Sequence, residues 1–411
     1  MQKTIMVHVD GIPSHRFKEL GEQTLLHSAQ TPHLDHLAGH GELGRLGIPG
    51  ESRSFTGGMA FLALLGYDTK KWYTGPGTFE ARNLEVVLER NDVAFLCHFV
   101  TLRGQDGWGD GKKLGPHLVL DDPGGAGVET EEARELLDTI NEQLVSENIQ
   151  FYMGRKHCHL MVWAGGQGKI VCRNPQEVCG HTLESYLPTG EGSQILRELM
   201  EAVRVILQHH PVNQDRVNAG LKPVNCLWPW GLGKPVELSS LRERWSLMGT
   251  VVSPDGPYVG IGLTSGLQVD RLEDVGDGGS VWLQELASTA SRILEKQDLI
   301  CLHVPFSAWV FNEGQFTPPF RLVEYLQNID EHLIGNLRQS SASSGSCRIF
   351  VACTPSVTKN DGEEPAIAPY LIYEGQEAIK GNPSVVFDEQ AVAGLPIRNA
   401  TKLLERFFAQ S

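Results

Sequence analysis

Residues 5–11 read Ile-Met-Val-His-Val-Asp-Gly, a short apolar run that stops at Asp10 and Gly11. An apolar run of this length, followed at once by loop-forming residues, is typical of a parallel strand that is buried on both faces. Separated by helical stretches, runs of the same kind recur at residues 249–253, 299–304 and 348–352. The alternation predicts an α/β fold: a doubly wound, mostly parallel sheet with helices on both faces.

The segment between residues 80 and 235 carries elements of its own. Strand-like runs occupy residues 93–100 and 159–163, and residues 130–145 show the apolar spacing of an amphipathic helix. A longer helical pattern begins at Ser193. We therefore predict a smaller α/β domain over residues 80–235, inserted into a discontinuous core domain formed by residues 1–79 and 236–411.

Local signals in the core domain add three expectations. Thr31 and Pro32 have the residue types of an N-cap and a first helical position, and they predict a helix that ends near Gly39. Residues 320–337 are predicted to be helical. Residues 340–346, Ser-Ser-Ala-Ser-Ser-Gly-Ser, predict a flexible surface loop.

The composition limits the classes of partner. The chain has 411 residues, a formal net charge of -15 and 41% hydrophobic residues, which is the balance of a folded globular protein. Nucleic acids and anionic membranes bind surfaces rich in Lys and Arg, so neither is an expected partner, although a local pocket for a small anion is allowed. The first residues predict a strand rather than a signal peptide or a membrane span. Eight cysteines without a Cys-x-x-Cys pair predict reduced thiols in a cytoplasm.

Several ungapped motifs, in order along the chain, resemble one family. The chain resembles the archaeal-type cofactor-independent phosphoglycerate mutases, a branch of the alkaline phosphatase superfamily that includes some homoserine kinases. The resemblance implies an alkaline-phosphatase-like core domain with an inserted second domain, two divalent metal ions, and a serine that accepts and returns a phosphoryl group. The motifs are VDG at 9–11, TPHLDHLA at 31–38, LALLGYD at 62–68, YTGPGTFEA at 73–81, GEGSQILRELMEA at 190–202, HPVNQDR at 210–216 and LWPWGLGKP at 227–235.

The position of the family's nucleophile does not carry a nucleophile here. Counted back from LALLGYD, the resemblance places the serine on Gly57. Thr56, one residue earlier, is a chemically suitable substitute, but nothing in the neighbouring sequence supplies a base to activate it. The family's basic residue in the YTG segment, a candidate phosphate contact, is replaced by Pro76.

The metal ligands implied by the resemblance are mostly absent as well. Asp10 matches the family's first metal-binding Asp, and it is also suited to the role of a cap or turn residue in the following loop. The other expected Asp and His ligands are replaced by residues of different chemistry, and Glu363 is the one carboxylate among them. The replacements are Ala308, Asn312, Cys353, Thr354 and Glu363.

Other polar groups offer separate candidates. His157, Cys158 and His159 look metal-like, but alternate strand residues point to opposite faces, so at most the two histidines are expected to act together. His209 and His210 are expected to end a helix, where an imidazolium complements the helix dipole.

Two further sets of residues complete the candidates for a site. Arg216 and Lys234 are candidates for contacting an anionic ligand. Cys353 follows a predicted strand and is either a reactive thiol or an ordinary buried cysteine.

Taken together, the replacements predict a non-catalytic relative of these mutases that acts as a binding, regulatory or scaffold subunit. No cofactor is expected, and the partners are a second copy, a partner enzyme, or a small phosphorylated or carboxylated metabolite. Two enzymatic alternatives stay open. One is a mutase or homoserine-kinase-like phosphotransferase that uses Thr56 with one Mn²⁺, Mg²⁺ or Zn²⁺ ion, and the other is metal-free chemistry that uses Cys353 or His303.

Overall fold

A computed structural model describes the chain in a set of ranges that cover both predicted domains. The described ranges are 2–48, 57–105, 107–108, 113–144, 146–166, 168–272, 279–312, 315–343, 347–355, 366–375, 381–382 and 384–409. The chain forms two compact units. The core unit contains Met1–Tyr73, Glu237–Asn312 and Phe316–Ser411, and the inserted unit is essentially Thr74–Val236. The inserted unit thus begins six residues earlier and ends one residue later than the domain predicted over residues 80–235.

The strands of the described chain are numbered in chain order. They are β1 (Lys3–Ile12), β2 (Glu42–Ile48), β3 (Val93–Arg103), β4 (Val119–Asp122), β5 (Ile149–Arg155), β6 (Cys158–Trp163), β7 (Ile170–Val171), β8 (Thr189–Gly190), β9 (Cys226–Gly233), β10 (Gly249–Val252), β11 (Gln268–Asp270), β12 (Leu299–Val304), β13 (Phe311–Asn312), β14 (Gln315–Phe316), β15 (Cys347–Pro355), β16 (Ala366–Tyr373) and β17 (Ile397–Asn399).

The α-helices of the described chain are numbered in the same way. They are α1 (Leu25–Ser28), α2 (Pro32–Gly39), α3 (Gly57–Leu64), α4 (Thr69–Trp72), α5 (Pro76–Asn83), α6 (Thr130–Leu144), α7 (Pro175–Val178), α8 (Ser193–Gln208), α9 (Pro211–Asn218), α10 (Leu241–Trp245), α11 (Gly256–Thr264), α12 (Ser280–Leu294), α13 (Phe306–Val310), α14 (Pro319–Asn328), α15 (Gly335–Ser343), α16 (Glu389–Val392) and α17 (Ala400–Ala409). In the part of the chain that the structure describes, no helix combines the length and the apolar character that crossing a membrane requires.

The core unit is built on a large, mostly parallel sheet. Among the described residues its strand order is β11-β10-β12-β1-β15-β16-β2-β17, and β16 runs antiparallel to both of its neighbours. Strand β1 lies between β12 and β15, both of which run parallel to it. The apolar run at residues 5–9 is therefore covered on both edges by further strands, and its side chains are buried. The prediction of a doubly wound, mostly parallel sheet is confirmed.

The inserted unit has an antiparallel sheet instead. The long strand β3 pairs with β6 and β4 on one side and with β9 on the other, and β5 adds to β6. Odd-numbered residues of β3 from Val93 to Phe99 pack into an apolar cluster with α6 and α8. The helices predicted at 130–145 and from Ser193 are confirmed, because they present their apolar residues to this cluster.

Of two local predictions in the core unit, the helix that begins after Thr31 and ends at Gly39 is confirmed, and the loop at residues 340–346 is wrong for its first four residues. Thr31 occupies the N-cap position of α2, but its side chain makes no cap hydrogen bond. The buried carboxylate of Asp330 accepts from the amides of His33 and Leu34 instead, at 3.0 and 2.7 Å. Residues 340–343 form the last turn of α15 rather than a loop, and residues 344–346 lie outside the described part.

The interpretation of His210 was also wrong. Helix α8 ends at Gln208, and His210 is the N-cap of the next helix, where its Nδ1 accepts from the amide of Val212 at 3.2 Å. Burial lowers the pKa of His210. An N-cap side chain must accept a hydrogen bond, and the neutral ring of His210 does so through Nδ1. His210 therefore acts as an acceptor at the start of α9 and not as an imidazolium at the end of α8.

Candidate functional site

The carboxyl ends of three parallel strands bring polar side chains together in the core unit. His8 on β1 pairs with His303 on β12, and Asp10 on β1 pairs with Thr354 on β15. Asp10 therefore lies inside β1, which continues to Ile12, and not in the following loop as expected. Ligand sites of doubly wound sheets lie at this edge. We refer to Asp10, His8, Thr354, Tyr258 and the adjoining Gly57 as the Asp10 site.

A chain of hydrogen bonds connects the buried groups of the Asp10 site. Thr354 Oγ1 donates to Asp10 Oδ1 at 3.1 Å and lies 2.8 Å from His8 Nε2. With its proton on Nε2, His8 donates to Thr354, and Thr354 donates to the carboxylate of Asp10. The hydroxyl of Tyr258 lies 3.4 Å from His8 Nδ1 and also hydrogen-bonds to Asp10, so Tyr258 contacts both ends of this chain.

The carboxylate of Asp10 fills the space beside the first residue of α3. A Cβ atom added to Gly57 would lie 2.1 to 2.4 Å from the carboxylate atoms of Asp10. Real Cβ atoms do not approach other atoms so closely, so a residue with a side chain at position 57 requires the Asp10 carboxylate to move. Gly57 and Asp10 are therefore fitted to each other in this conformation.

Burial dominates the electrostatics of the Asp10 site. Burial and, second, the nearby charge of Asp255 raise the pKa of Asp10, hydrogen bonds from Thr354 and Tyr258 lower it, and the net result is a pKa of about 7. Burial also raises the pKa of Asp255 to about 6 and lowers the pKa of His8 to about 3. The site therefore favours neutral forms: a neutral imidazole and carboxyl groups that keep their protons to unusually high pH.

His303 lies beside both His8 and Tyr258, with ring centroids 6.1 Å from His8 and 3.5 Å from Tyr258. The rings of His303 and Tyr258 stack with an angle of 8° between their planes. His303 Nδ1 is 2.9 Å from Ser253 Oγ, and its buried Nε2 has no hydrogen-bond partner among the described residues. The ring is enclosed between Tyr258 and the sheet, so a role for His303 in metal-free chemistry remains a prediction.

Arg216 and Lys234 have different neighbours. Arg216 is buried, and its guanidinium donates to Glu132 at 2.7 Å and to the carbonyls of Ala126 and Lys222. Lys234 lines a cavity of about 360 Å³ in the inserted unit, with Arg90 among the other lining residues. Arg216 thus joins two parts of the inserted unit through its hydrogen bonds. Lys234 lies at a cavity and remains a candidate for contacting a ligand.

A second polar cluster lies on β3 and the β5–β6 hairpin of the inserted unit. One ligand atom from each of His98, His157 and Cys158 lies within 4.8 Å of the others. This corrects the expected pairing of His157 with His159. His157 belongs to the two-residue turn between β5 and β6, where Lys156 has a φ of +49°, so the alternation of a strand does not apply to it. His159 packs on the opposite face, edge-on to Phe99.

Known proteins resemble this chain over nearly its whole length. It is 30% identical to a probable 2,3-bisphosphoglycerate-independent phosphoglycerate mutase of Geobacter sulfurreducens, over 98% of each chain. The chain belongs to this family. The family description matches residues 38–213, and a phosphoglycerate mutase of Methanosarcina barkeri is 28% identical over 93% of this chain and 92% of its own. The predicted family is therefore confirmed.

Solved structures agree with the fold. A protein from Pyrococcus horikoshii superposes with a TM-score of 0.68 at 20% identity, covering all of this chain and 98% of that one. The cofactor-independent phosphoglycerate mutase of Thermoplasma acidophilum gives a TM-score of 0.55 at 24% identity, covering all of this chain and 99% of that one. At these identities the two structures show the fold alone.

The positions at which phosphoglycerate mutases of this type are expected to hold metals can now be placed. Ala308 is exposed on α13 and has no ligand atom in its side chain. Cys353 is buried in the apolar core, where burial raises the pKa of its thiol, so the interpretation as an ordinary buried cysteine fits better than a reactive thiol. Thr56 and Glu363 lie outside the described residues. Among those described, no group of three or more His, Cys, Asp or Glu ligands surrounds Asp10, so this part of the site does not fit a two-metal centre.

Proposed function

We propose that this member of the phosphoglycerate mutase family does not carry out the family's phosphoryl transfer and acts by binding. The observation that carries the proposal is the fit of Gly57 to Asp10: a nucleophilic side chain at position 57 would overlap the carboxylate that the family uses as a metal ligand. This chemistry needs a serine side chain beside the metal-bound aspartate, whereas here the Asp10 carboxylate fills the space that a side chain at position 57 would need.

The hydrogen bonding of Asp10 supports the same conclusion. Thr354, at a position where the resemblance implies a metal ligand, donates to Asp10 Oδ1. A hydroxyl that donates to the carboxylate takes the place of a cation, since both satisfy the lone pairs of the oxygen.

For the bound species we propose a small phosphorylated or carboxylated metabolite, with Lys234 as a contact. The cavity beside Lys234 is also lined by Arg90, and two cations suit an anion. The acidic Asp92 of the same lining is turned toward the protein, because its Oδ1 accepts from the amide of Gly165 at 3.3 Å. A second copy of the chain or a partner enzyme is proposed as the protein partner. All eight cysteines are described and none forms a disulfide, which supports a place in the reducing cytoplasm.

One observation favours the alternative of a rebuilt phosphotransferase with a single metal. Asp255 Oδ1 is buried and lacks a hydrogen-bond partner among the described residues, and the charge of Asp255 acts on Asp10. Two neighbouring carboxylates could hold one Mg²⁺ or Mn²⁺ ion, and the cation would relieve their repulsion. In that case Thr56 is the candidate nucleophile.

The decisive experiment measures interconversion of 3-phosphoglycerate and 2-phosphoglycerate by the purified protein with added Mn²⁺, Mg²⁺ or Zn²⁺. The Geobacter sulfurreducens relative, assayed in parallel, serves as the positive control. We expect no turnover above the rate without protein. Turnover that is lost in Asp10→Asn would overturn the proposal and favour the rebuilt site, and loss in Thr56→Val as well would identify its nucleophile.

Ligand binding is tested separately by thermal shift with a panel of phosphorylated and carboxylated metabolites. We expect at least one to raise the melting temperature, and Lys234→Ala to abolish the shift. The exposed Lys70 on α4 supplies the matched control variant, Lys70→Ala. An unchanged melting temperature across the panel would contradict the proposal that the protein binds a metabolite. A protein partner would then be the remaining candidate, and size-exclusion chromatography with light scattering would detect a second copy of the chain.

A further inference from the structure

The strand register of the inserted unit brings an imidazole and a thiol together. His98 on β3 and Cys158 at the start of β6 are direct partners across the antiparallel pair, so their side chains leave the sheet on the same face. Cys158 Sγ lies 3.3 Å from His98 Nε2. The sequence separates these residues by 60 positions, and the pairing of β3 with β6 is what joins them.

The β5–β6 turn supplies a third donor to the same place. His157 lies in this tight turn. The amide of Phe99 donates to the carbonyl of His157 at 2.8 Å, and this hydrogen bond holds the backbone of the turn against β3. The rings of His98 and His157 meet edge to face, with centroids 4.9 Å apart and an interplanar angle of 86°. Three ligand atoms, two nitrogens and one sulfur, therefore converge within 4.8 Å.

The distance between two of these atoms is close to the distance between two ligands of one metal ion. With metal–nitrogen and metal–sulfur bonds of about 2.0 and 2.3 Å, tetrahedral geometry places nitrogen and sulfur ligands roughly 3.5 Å apart. The contact between His98 and Cys158 is already near that value. Small rotations of the half-buried His157 and Cys158 would bring the third atom into position.

The surroundings also favour ligation. Burial lowers the pKa of His98, His157 and His159, so the imidazoles are neutral and keep a lone pair for a metal. The nitrogen of His98 that faces the thiol is Nε2, and the buried Nδ1 has no hydrogen-bond partner among the described residues.

We propose that His98, His157 and Cys158 bind one Zn²⁺ ion, or a chemically similar borderline divalent cation, and that the ion fixes the β5–β6 turn to strand β3. Two imidazoles and one thiolate suit Zn²⁺, whereas Mg²⁺ and Ca²⁺ prefer oxygen ligands. On binding, the thiol of Cys158 releases its proton to solvent and the thiolate donates to the metal. A fourth position stays available to water. This site is independent of the Asp10 site and lies in the other unit of the chain.

Cobalt substitution provides the test, because Co²⁺ bound to a thiolate gives a near-ultraviolet charge-transfer absorption that binding by histidine or carboxylate alone does not give. The full-length protein is stripped with a chelator, titrated with Co²⁺, and then titrated with Zn²⁺ in competition. We expect one equivalent of Co²⁺ with the thiolate signature, displaced by one equivalent of Zn²⁺. Cys158→Ser should lose the signature, and His98→Gln and His157→Gln should weaken Co²⁺ binding at least tenfold.

Matched controls separate the proposed site from other thiols and imidazoles. Cys179 and His181 lie near each other in the inserted unit but outside the cluster, so Cys179→Ser and His181→Gln should keep the signature and the stoichiometry. The melting temperature of each metal-free variant shows whether it has folded. Absence of the signature in folded wild-type protein, or its persistence in Cys158→Ser, overturns the proposal and leaves a simple S–H to nitrogen hydrogen bond. Asp10→Asn should not affect this titration, so its outcome is separate from that of the activity assay.

Discussion

The Asp10 site and the cluster of His98, His157 and Cys158, called the His98 cluster below, both hold polar side chains against a sheet, but these side chains have different partners. At the Asp10 site the groups hydrogen-bond to one another, from Tyr258 through His8 and Thr354 to the carboxylate, and the carboxylate fills the space beside Gly57. In the His98 cluster Cys158 Sγ lies 3.3 Å from His98 Nε2, and a ligand atom of His157 lies within 4.8 Å of both. Under the two proposals above, a residue of metal-binding type at the position that the family uses does not by itself make a metal site.

The difference has a physical basis in what each group offers. A carboxylate with a hydroxyl donor is satisfied without a cation, and the chain of donors at Asp10 needs none. Two neutral imidazoles and a thiol that can lose its proton offer two nitrogen lone pairs and a sulfur, which is a ligand set that suits a zinc-type cation.

The largest effect is expected from the charge of Asp10. Its pKa is raised from 3.8 to about 7, so the folded protein binds the proton more tightly than the unfolded chain does. The free energy of unfolding should therefore fall as the pH rises through this interval. With chelator present, Asp10→Asn should be more stable than wild type by roughly 2–4 kcal/mol at pH 8 and nearly equal to it at pH 4.5.

Urea unfolding at both pH values measures this difference, and Asp138→Asn, which removes an exposed carboxylate on α6, is the control. If wild type gained stability relative to Asp10→Asn as the pH rose, the carboxylate would be stabilised by a charge at the site. Addition of Mn²⁺ would then distinguish a metal from a protein group. That result would remove the contrast between the two clusters.

The second prediction concerns Gly57. Glycine to alanine normally stabilises a helix by about 1 kcal/mol, but here the added Cβ would meet the Asp10 carboxylate. Gly57→Ala should therefore lower the free energy of unfolding by about 1–3 kcal/mol. Replacing Asp10 by alanine as well should recover most of that loss, because the overlapping atoms are gone.

A double-mutant cycle measured by urea unfolding gives the coupling between positions 10 and 57. Gly394→Ala is the control, since a Cβ at Gly394 meets nothing within 4 Å. Equal costs of Gly57→Ala in the presence and absence of the carboxylate would show that the two residues are not fitted to each other, and would weaken the proposed loss of phosphoryl transfer.

Much of the fold was accessible from sequence, but the geometry of either cluster was not. The apolar run at 5–9 and the strand at 299–304 were predicted correctly, because a buried parallel strand leaves a continuous apolar signal. The resemblance identified Gly57 as an empty nucleophile position. That Asp10 fills the space beside it depends on the approach of α3 to β1, which no local pattern encodes.

The His98 cluster shows the same limit more sharply. His157 and Cys158 were singled out, but strand alternation was applied across a turn where Lys156 has a positive φ. His98 was missed because it lies in an apolar strand, and only the register of β3 with β6 places it opposite Cys158. Residues 155–158, Arg-Lys-His-Cys, contain none of the glycine pairs that mark a tight hairpin, so the sequence carries no strong signal that alternation stops there.

The third prediction tests the hydrogen-bond chain at the Asp10 site. Thr354→Val keeps the shape of the side chain but removes the hydroxyl that joins His8 to Asp10. Both partners are buried and would lose a hydrogen bond, so we expect a cost of about 1–3 kcal/mol in urea unfolding. Thr4→Val is a close control, because the buried hydroxyl of Thr4 on the same sheet has no hydrogen-bond partner among the described residues. A loss as large for Thr4→Val would assign the effect to packing.

The smallest effect is expected at Cys158 in the absence of metal. A thiol is a weak donor, so Cys158→Ser in chelator-treated protein should change the free energy of unfolding by no more than about 0.5 kcal/mol. With free Zn²⁺ at one hundred times its dissociation constant, wild type alone should gain about 2.7 kcal/mol, and the two proteins should then separate by that amount. Urea unfolding with and without Zn²⁺ measures both differences. A large loss of stability in Cys158→Ser without metal would mean that Cys158 stabilises the hairpin through its contacts within the protein. The His98 cluster would then need no cation, as is proposed for the Asp10 site.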